Sequence, residues 1–143
     1  EAVGLFACLM FSVPATAPLR SVIDLNNGLE EYEKNSNIDV VITVTEASHS
    51  PYFNMVKRNS KGMIDLVISP TKMLTRRQDA PNVYNMATVA YVVKHEFVMT
   101  NQSLFDGRVS AVSVPQERAI DIDTLIDFKM AEFYLSQRGN KSL

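Results

Sequence analysis

The chain has 143 residues, 46% of them hydrophobic and 21% charged, with a formal net charge of −2. That length and balance describe one soluble globular domain with a core of its own. The charge argues against a nucleic-acid-binding surface, since the basic residues are scattered apart from the pair Arg76-Arg77.

A lone cysteine, Cys8, has no partner for an internal disulfide and reads as a small buried hydrophobe. His49 and His95 lie far apart, with no second ligand at zinc spacing. Residues 3–13 are continuously apolar and end at Pro14. They lack the basic start of a signal peptide and are too short to span a bilayer. They therefore read as a strand buried on both faces. A turn over residues 14–18 leads to Ser21 and Asp24, spaced as a capping box. Val22, Leu25, Leu29 and Tyr32 share one face of the helix that follows, and Asn35-Ser36-Asn37 closes it. Residues 39–45 are a β-branched run of strand length. Strand, helix and strand in this compass predict a βαβ unit with a parallel sheet.

Residues 46–85 are broken by Pro51, Asn59, Gly62, Pro70 and Pro81, and the apolar pieces 53–56 and 63–68 read as short strands of a subsidiary layer. A strand at 86–93, a short helix at 94–101 and a strand at 108–114, bounded by Gly107 and Pro115, follow. The final helix runs from Thr124 or Leu125 to Arg138. Thr124 and Asp127 form its cap, Gly139 its end, and Leu125, Phe128, Ala131 and Leu135 its expected buried face. The fold class is α/β, and a long irregular insertion of this kind is often functional.

The most informative stretch is Arg118-Ala119-Ile120-Asp121-Ile122-Asp123-Thr124. In an extended segment Asp121 and Asp123 point the same way. Two carboxylates on one face suit Mg²⁺, which takes one or two of them and completes its shell with water and substrate phosphate. The plainer alternative is a solvated turn in which Asp123 or Thr124 caps the helix.

Motifs in order carry a resemblance. They are Pro-Ala-Thr-Ala-Pro-Leu-Arg (14–20), Asp-Val-Val-Ile-Thr-Val-Thr-Glu (39–46), Ser-Pro-Tyr (50–52), Arg-Arg-Gln-Asp-Ala-Pro-Asn-Val-Tyr (76–84), Val-Ala-Tyr (89–91) and Glu-Arg-Ala-Ile-Asp-Ile-Asp-Thr (117–124). Together they resemble the acylneuraminate cytidylyltransferases, the synthetases that make CMP-sialic acids. The resemblance implies a three-layer α/β/α nucleotide-sugar-transferase fold with a mainly parallel, Rossmann-like sheet. Residues 1–143 would be a single cytidylyltransferase-like domain, with 50–85 as the dimerisation insertion of a homodimer. It also implies that a sialic or related nonulosonic acid reacts with CTP to give the CMP-sugar and pyrophosphate, with Mg²⁺ held by Asp121 and Asp123.

By the same resemblance Arg77 meets the sugar carboxylate, a match for a guanidinium fork, or else pairs with Asp79. Gln78 enters as a member of the same motif. Tyr91 and Phe105 flank the sugar, or are plain core, Phe105 anchoring a turn with Asp106-Gly107. Thr16 lies at a strand's carboxyl end, where ligands of open α/β sheets gather, and Arg20 touches substrate or caps the sheet edge.

The departures fall at Pro14, where many relatives have Gln, at Phe53 (Lys), at Asn85 (a second Arg) and at Ala87-Thr88 (Asn-Gly). They bear on which sugar is read. The family also opens with a Gly-rich, basic loop that wraps CTP, and this chain, with 5 Gly, has no counterpart to it. The expectation is therefore the C-terminal part of a cytoplasmic cytidylyltransferase, without nucleic-acid or membrane partners. The alternatives are a non-catalytic truncated homologue that dimerises or binds the sugar acid without turnover, and an unrelated α/β binding domain.

Overall fold

A β-branched run without polar alternation has to be covered on both faces, and the run at 39–45 is. The computed structural model describes residues 9–35, 37–69 and 76–139, apart from the side chain of Arg77. Its elements are β1 (Leu9–Ser12), α1 (Val22–Lys34), β2 (Val40–Glu46), β3 (Val56–Arg58), β4 (Ile64–Leu66), β5 (Tyr84–Lys94), α2 (His95–Thr100), β6 (Val109–Ser113) and α3 (Leu125–Gly139). Cys8 and the start of the expected first strand lie outside the described residues. The chain forms two units, residues 1–45 with 86–143, and residues 46–85.

The first unit is built on a sheet of order β1-β5-β2-β6. β2 and β6 pair in parallel from Val40↔Val109 to Val44↔Ser113, and β1 pairs antiparallel with β5 from Leu9↔Lys94 to Ser12↔Tyr91. Lys94 N–H bonds Asp39 C=O where β2 begins, and Thr43 meets Ala87 and Ala90 further along, so β5 runs against β2. Three strands thus share one direction and β5 opposes them. The expected β1-α1-β2 unit is present, with β5 inserted between its two strands.

β2 is buried along nearly its whole length. Val40, Ile42 and Val44 pack with Val93 on one face, beneath Phe97 of α2 and Leu104. Val41 packs with Ile38 and Val92 on the other, beneath Tyr32 of α1. Helices therefore cover the sheet from both sides, as an α/β/α fold requires. Among the described residues no helix is long and apolar enough to cross a membrane.

Several faces differ from expectation, each for a physical reason. β1 is not buried on both faces, because it stands at the end of the sheet, with Met10 40% and Phe11 41% exposed. α1 docks through Asp24 and Gly28, while Val22 points to solvent. A Cβ at Gly28 would sit 3.1 Å from Val92 Cγ2, so the missing side chain is what allows this approach. On α3 only Ala131 of the expected face is buried; Leu125, Phe128 and Leu135 are exposed. A polar anchor ties that helix down at its end, where Arg138 donates to Leu19 C=O at 2.6 Å.

In the second unit β3 and β4 pair antiparallel, Val56↔Leu66 to Arg58↔Ile64. Their connection uses Gly62 at φ 79°, in the left-handed region that glycine tolerates. The strand expected at 53–56 begins only at Val56. The amides of Phe53, Asn54 and Met55 all turn onto Ser50 C=O, and Asn54 Oδ1 accepts from Ser50 N–H at 2.6 Å. The strand expected at 63–68 is confined to β4.

Two polar nodes hold the first unit. Thr43, buried in β2, donates to Ala87 C=O at 2.7 Å and accepts from Ala90 N–H at 3.2 Å. Thr43→Val leaves those backbone groups unsatisfied, an expected loss of about 1–3 kcal/mol in chemical denaturation. Asp39 accepts from Arg108 N–H at 2.9 Å, Arg108 Nε at 3.2 Å and Lys94 Nζ at 3.1 Å, joining β2, β5 and β6. The Arg108 amide and guanidinium and the Lys94 ammonium hold its carboxyl well below the usual carboxylate range. A depressed folded-state pKa stabilises above the unfolded value of about 4 and is lost as pH falls. Asp39→Asn should accordingly lower the melting temperature at pH 7, with the difference from wild type closing in acid.

Candidate active site

The loop after β1 buries Ala17 and Leu19 and is closed by Arg20, whose Nη2 donates to Pro14 C=O. Arg20 thus serves its own loop, and its Nε is buried without a hydrogen-bond partner. The loop's far end enters α1, where Asp24 accepts from Ser21 N–H at 2.8 Å, as the sequence spacing predicts for a cap.

Asp24 makes a second attachment that the sequence does not announce. Its carboxylate takes Arg118 Nη2 at 2.7 Å and Nε at 2.9 Å, a forked pair. Arg118 ends a single 3₁₀ turn, Gln116–Arg118, that follows β6 and Pro115. From there the chain runs to Ile122, whose N–H bonds Thr16 C=O at 2.8 Å. The loop at 14–20 and the acidic segment at 119–124 are thereby laid side by side.

That segment is irregular, not the extended continuation of a strand, because the 3₁₀ turn intervenes after β6. Asp121 and Asp123 accordingly differ. Asp123 is exposed, and its N–H faces Asp127 Oδ2 at 3.3 Å. Asp121 is half-buried and accepts from Thr88 Oγ1 of β5 at 2.6 Å. The Thr16 and Thr88 hydroxyls hold its carboxyl below the usual range, against burial and the Asp127 charge. Its other oxygen, Oδ1, is buried with no hydrogen-bond partner. Asp127 is taken up by its cap, accepting from Thr124 N–H at 2.8 Å and Oγ1 at 2.7 Å.

A buried carboxylate oxygen without a protein donor is satisfied by a water or a cation, and Mg²⁺ needs only one or two protein carboxylates. Among the described residues no three His, Cys, Asp or Glu side chains converge. The arrangement fits a lightly held magnesium and not a closed protein cage.

Tyr91 lies in β5 and, with Met10, Ser12, Phe97 and Leu104, lines a cavity of ≈ 330 Å³. Phe97 and Leu104 are lining residues that sequence reasoning missed. Phe105, 68% exposed, is outside that lining; its turn is anchored by Ser103 and Asp106 through Ser103 N–H to Asp106 Oδ2 at 2.9 Å. In the second unit, Arg77 and Gln78 belong to a single 3₁₀ turn, Arg77–Asp79, with Gln78 exposed. Arg77's expected roles, sugar contact or an ion pair with Asp79, rest on a side chain outside the description.

No family model matches the chain. Post-translational flagellin modification protein B of Campylobacter coli is 30% identical over 130 residues, 91% of this chain and 54% of that protein. The CMP-N,N'-diacetyllegionaminic acid synthase of Campylobacter jejuni is 34% identical over 100 residues, covering 69% of this chain and 41% of the synthase. The N-acylneuraminate cytidylyltransferase of Streptococcus agalactiae is 26% identical over 113 residues, 79% of this chain and 27% of that enzyme. The chain belongs to the acylneuraminate cytidylyltransferase family. It spans about half the length of these family members, or less. Among solved structures, the 4-diphosphocytidyl-2C-methyl-D-erythritol synthase of Anaerococcus prevotii superimposes with a TM-score of 0.61 at 18% identity, covering 94% of this chain and 62% of that one. The 2-C-methyl-D-erythritol 4-phosphate cytidylyltransferase of Francisella tularensis gives 0.58 at 12%, covering 88% and 58%. At those identities the likeness is one of fold, and it agrees with the α/β reading of the family.

The Tyr91 hydroxyl is pushed up by burial first and by the Asp121 charge second. Asp121→Asn is expected to lower the Tyr91 pKa while leaving it above the ordinary value of about 10. Carbon NMR of labelled tyrosine, assigned with Tyr91→Phe, measures this.

Proposed function

We propose that the chain carries the cation-binding and sugar-acid end of a cytidylyltransferase that joins a sialic or related nonulosonic acid to CTP, releasing pyrophosphate. The observation that carries this is the Asp121 carboxylate, held by Thr16 and Thr88 with one buried oxygen left unpartnered. The names of the relatives supply the substrate class.

Displacement at the α-phosphorus by the sugar hydroxyl asks for positioning and for neutralisation of spreading negative charge. Asp121 would hold Mg²⁺, with Asp123 as the second carboxylate. That ion supplies charge neutralisation at the phosphate oxygens. Either carboxylate is a base for the hydroxyl proton. Arg77 holds the sugar carboxylate, with Gln78 beside it in the chain; Tyr91 and Phe105 flank the ring; Thr16 and Arg20 shape the loop against which it rests. The second unit is the dimer arm, its exposed Phe53 and Met55 covered by another copy. The supply of CTP places the protein in the cytoplasm.

In the protein as its gene encodes it, pyrophosphate release from CTP, Mg²⁺ and a panel of nonulosonic acids should disappear in Asp121→Asn. Unchanged turnover would remove the metal role. Arg77→Ala should weaken sugar-acid binding by about tenfold to a hundredfold, the loss of roughly 1.5–3 kcal/mol expected of a charged hydrogen bond. CTP binding should be unaltered. An equal loss of both ligands in calorimetry would assign Arg77 to the scaffold.

A further inference from the structure

We infer that Thr88 is the positioning residue that makes Asp121 present a single oxygen, and so favours a small octahedral cation over a larger one. The inference rests on the reading of Asp121 as a cation ligand and concerns what selects the cation there.

Thr88 is flanked in β5 by Ala87 and Val89, both buried and packed with Val114, so its backbone is fixed by the core. A β-branched side chain has few χ1 choices, and the one adopted aims the hydroxyl at the acidic segment 33 residues away. The bond to Asp121 Oδ2, at 2.6 Å, is as short as a charge-assisted O–H···O⁻ contact becomes. Oδ1 is left buried and without a partner. The Thr16 hydroxyl also holds this carboxylate, but the oxygens are not equivalent: Oδ2 takes the Thr88 hydroxyl, and Oδ1 has no hydrogen-bond partner.

Chelation through both oxygens would draw on the same Oδ2 that the Thr88 hydroxyl already engages and weaken that bond. Ca²⁺ accepts bidentate carboxylates in a loose shell of about 6–8 oxygens, whereas Mg²⁺ demands near-ideal octahedral geometry and keeps its waters. A carboxylate offering one oxygen suits the second. Position 88 is also one where the chain departs from the expected Asn-Gly, and glycine has no hydroxyl to give.

The test is Mn²⁺ binding to the protein as its gene encodes it, followed by electron paramagnetic resonance of the free ion, with Ca²⁺ as competitor. Thr88→Val should weaken Mn²⁺ binding about 10–100-fold, the usual cost of removing a group that orients a ligand, and narrow the preference over Ca²⁺. Thr88→Ser, which keeps the hydroxyl, should bind Mn²⁺ nearly as wild type does. In the metal-free protein at pH 7, the Asp121 carboxyl carbon resonance, assigned with Asp121→Asn, should move in the Val variant and stay in the Ser variant. A Val variant that binds Mn²⁺ with wild-type affinity and preference, or whose Asp121 resonance does not move, overturns the inference while leaving the Asp121 reading intact. Mn²⁺ binding unchanged in Asp121→Asn overturns that reading and this inference with it.

Discussion

The ion pair between Asp24 and Arg118 is the constraint on which the arrangement of the first unit turns. The two residues are 94 apart in sequence, and the Asp24 side chain has no solvent exposure. Desolvating such a pair offsets most of its attraction, so its value lies less in strength than in placement. Loss of Arg118 alone would leave the Asp24 charge buried and unpaired, at a cost of about 3–5 kcal/mol. Because Asp24 is also the cap of α1, the pair ties the start of that helix to the turn after β6. With those two points joined, Ile122 reaches Thr16, and Asp121 comes within range of Thr88.

The sheet then decides which side chains meet. β1 and β5 are neighbours, so the loop leaving β1 and the Thr88-to-Tyr91 stretch of β5 are available to the same segment. The reversed direction of β5 is stabilised by Thr43, whose hydroxyl serves Ala87 and Ala90 where the ladder between β2 and β5 needs a partner. A hydroxyl in the most buried strand is thus a structural device, whereas the hydroxyls of Thr16 and Thr88 act on a charge. The division follows from place: Thr43 is enclosed in the sheet, and Thr16 belongs to the loop at a strand's end, where α/β sheets gather ligands.

Much of this was legible in the residues. The capping pairs Ser21–Asp24 and Thr124–Asp127 both form, because their spacing is a local property that tertiary packing did not need to override. Ordered motifs carried the family, and the α/β reading held. Helix faces were less legible, since periodicity counts apolar side chains while polar anchors rotated the helices. α1 turns Asp24 inward to meet Arg118, and α3 is tied to the rest of the unit by Arg138 on Leu19 C=O, with Leu125, Phe128 and Leu135 outside. The segment that carries Asp121 and Asp123 is not a strand, because Pro115 and the 3₁₀ turn end β6 before it, and the two side chains differ in exposure. Thr88 as the partner of Asp121 had no sequence signal beyond its departure from Asn-Gly, since nothing in spacing links positions so far apart.

β1 has a consequence for the life of the polypeptide. Among the described residues its outer side is unpaired, and Met10 and Phe11, on opposite faces, are both partly in water. A short strand bearing oily groups above and below, with amides free along one side, is a ready template for any other strand. It carries none of the lysines or prolines with which sheet margins are commonly blunted. A margin of this kind, wherever it stands unpaired during synthesis, is the sort of stretch that holdase chaperones shield.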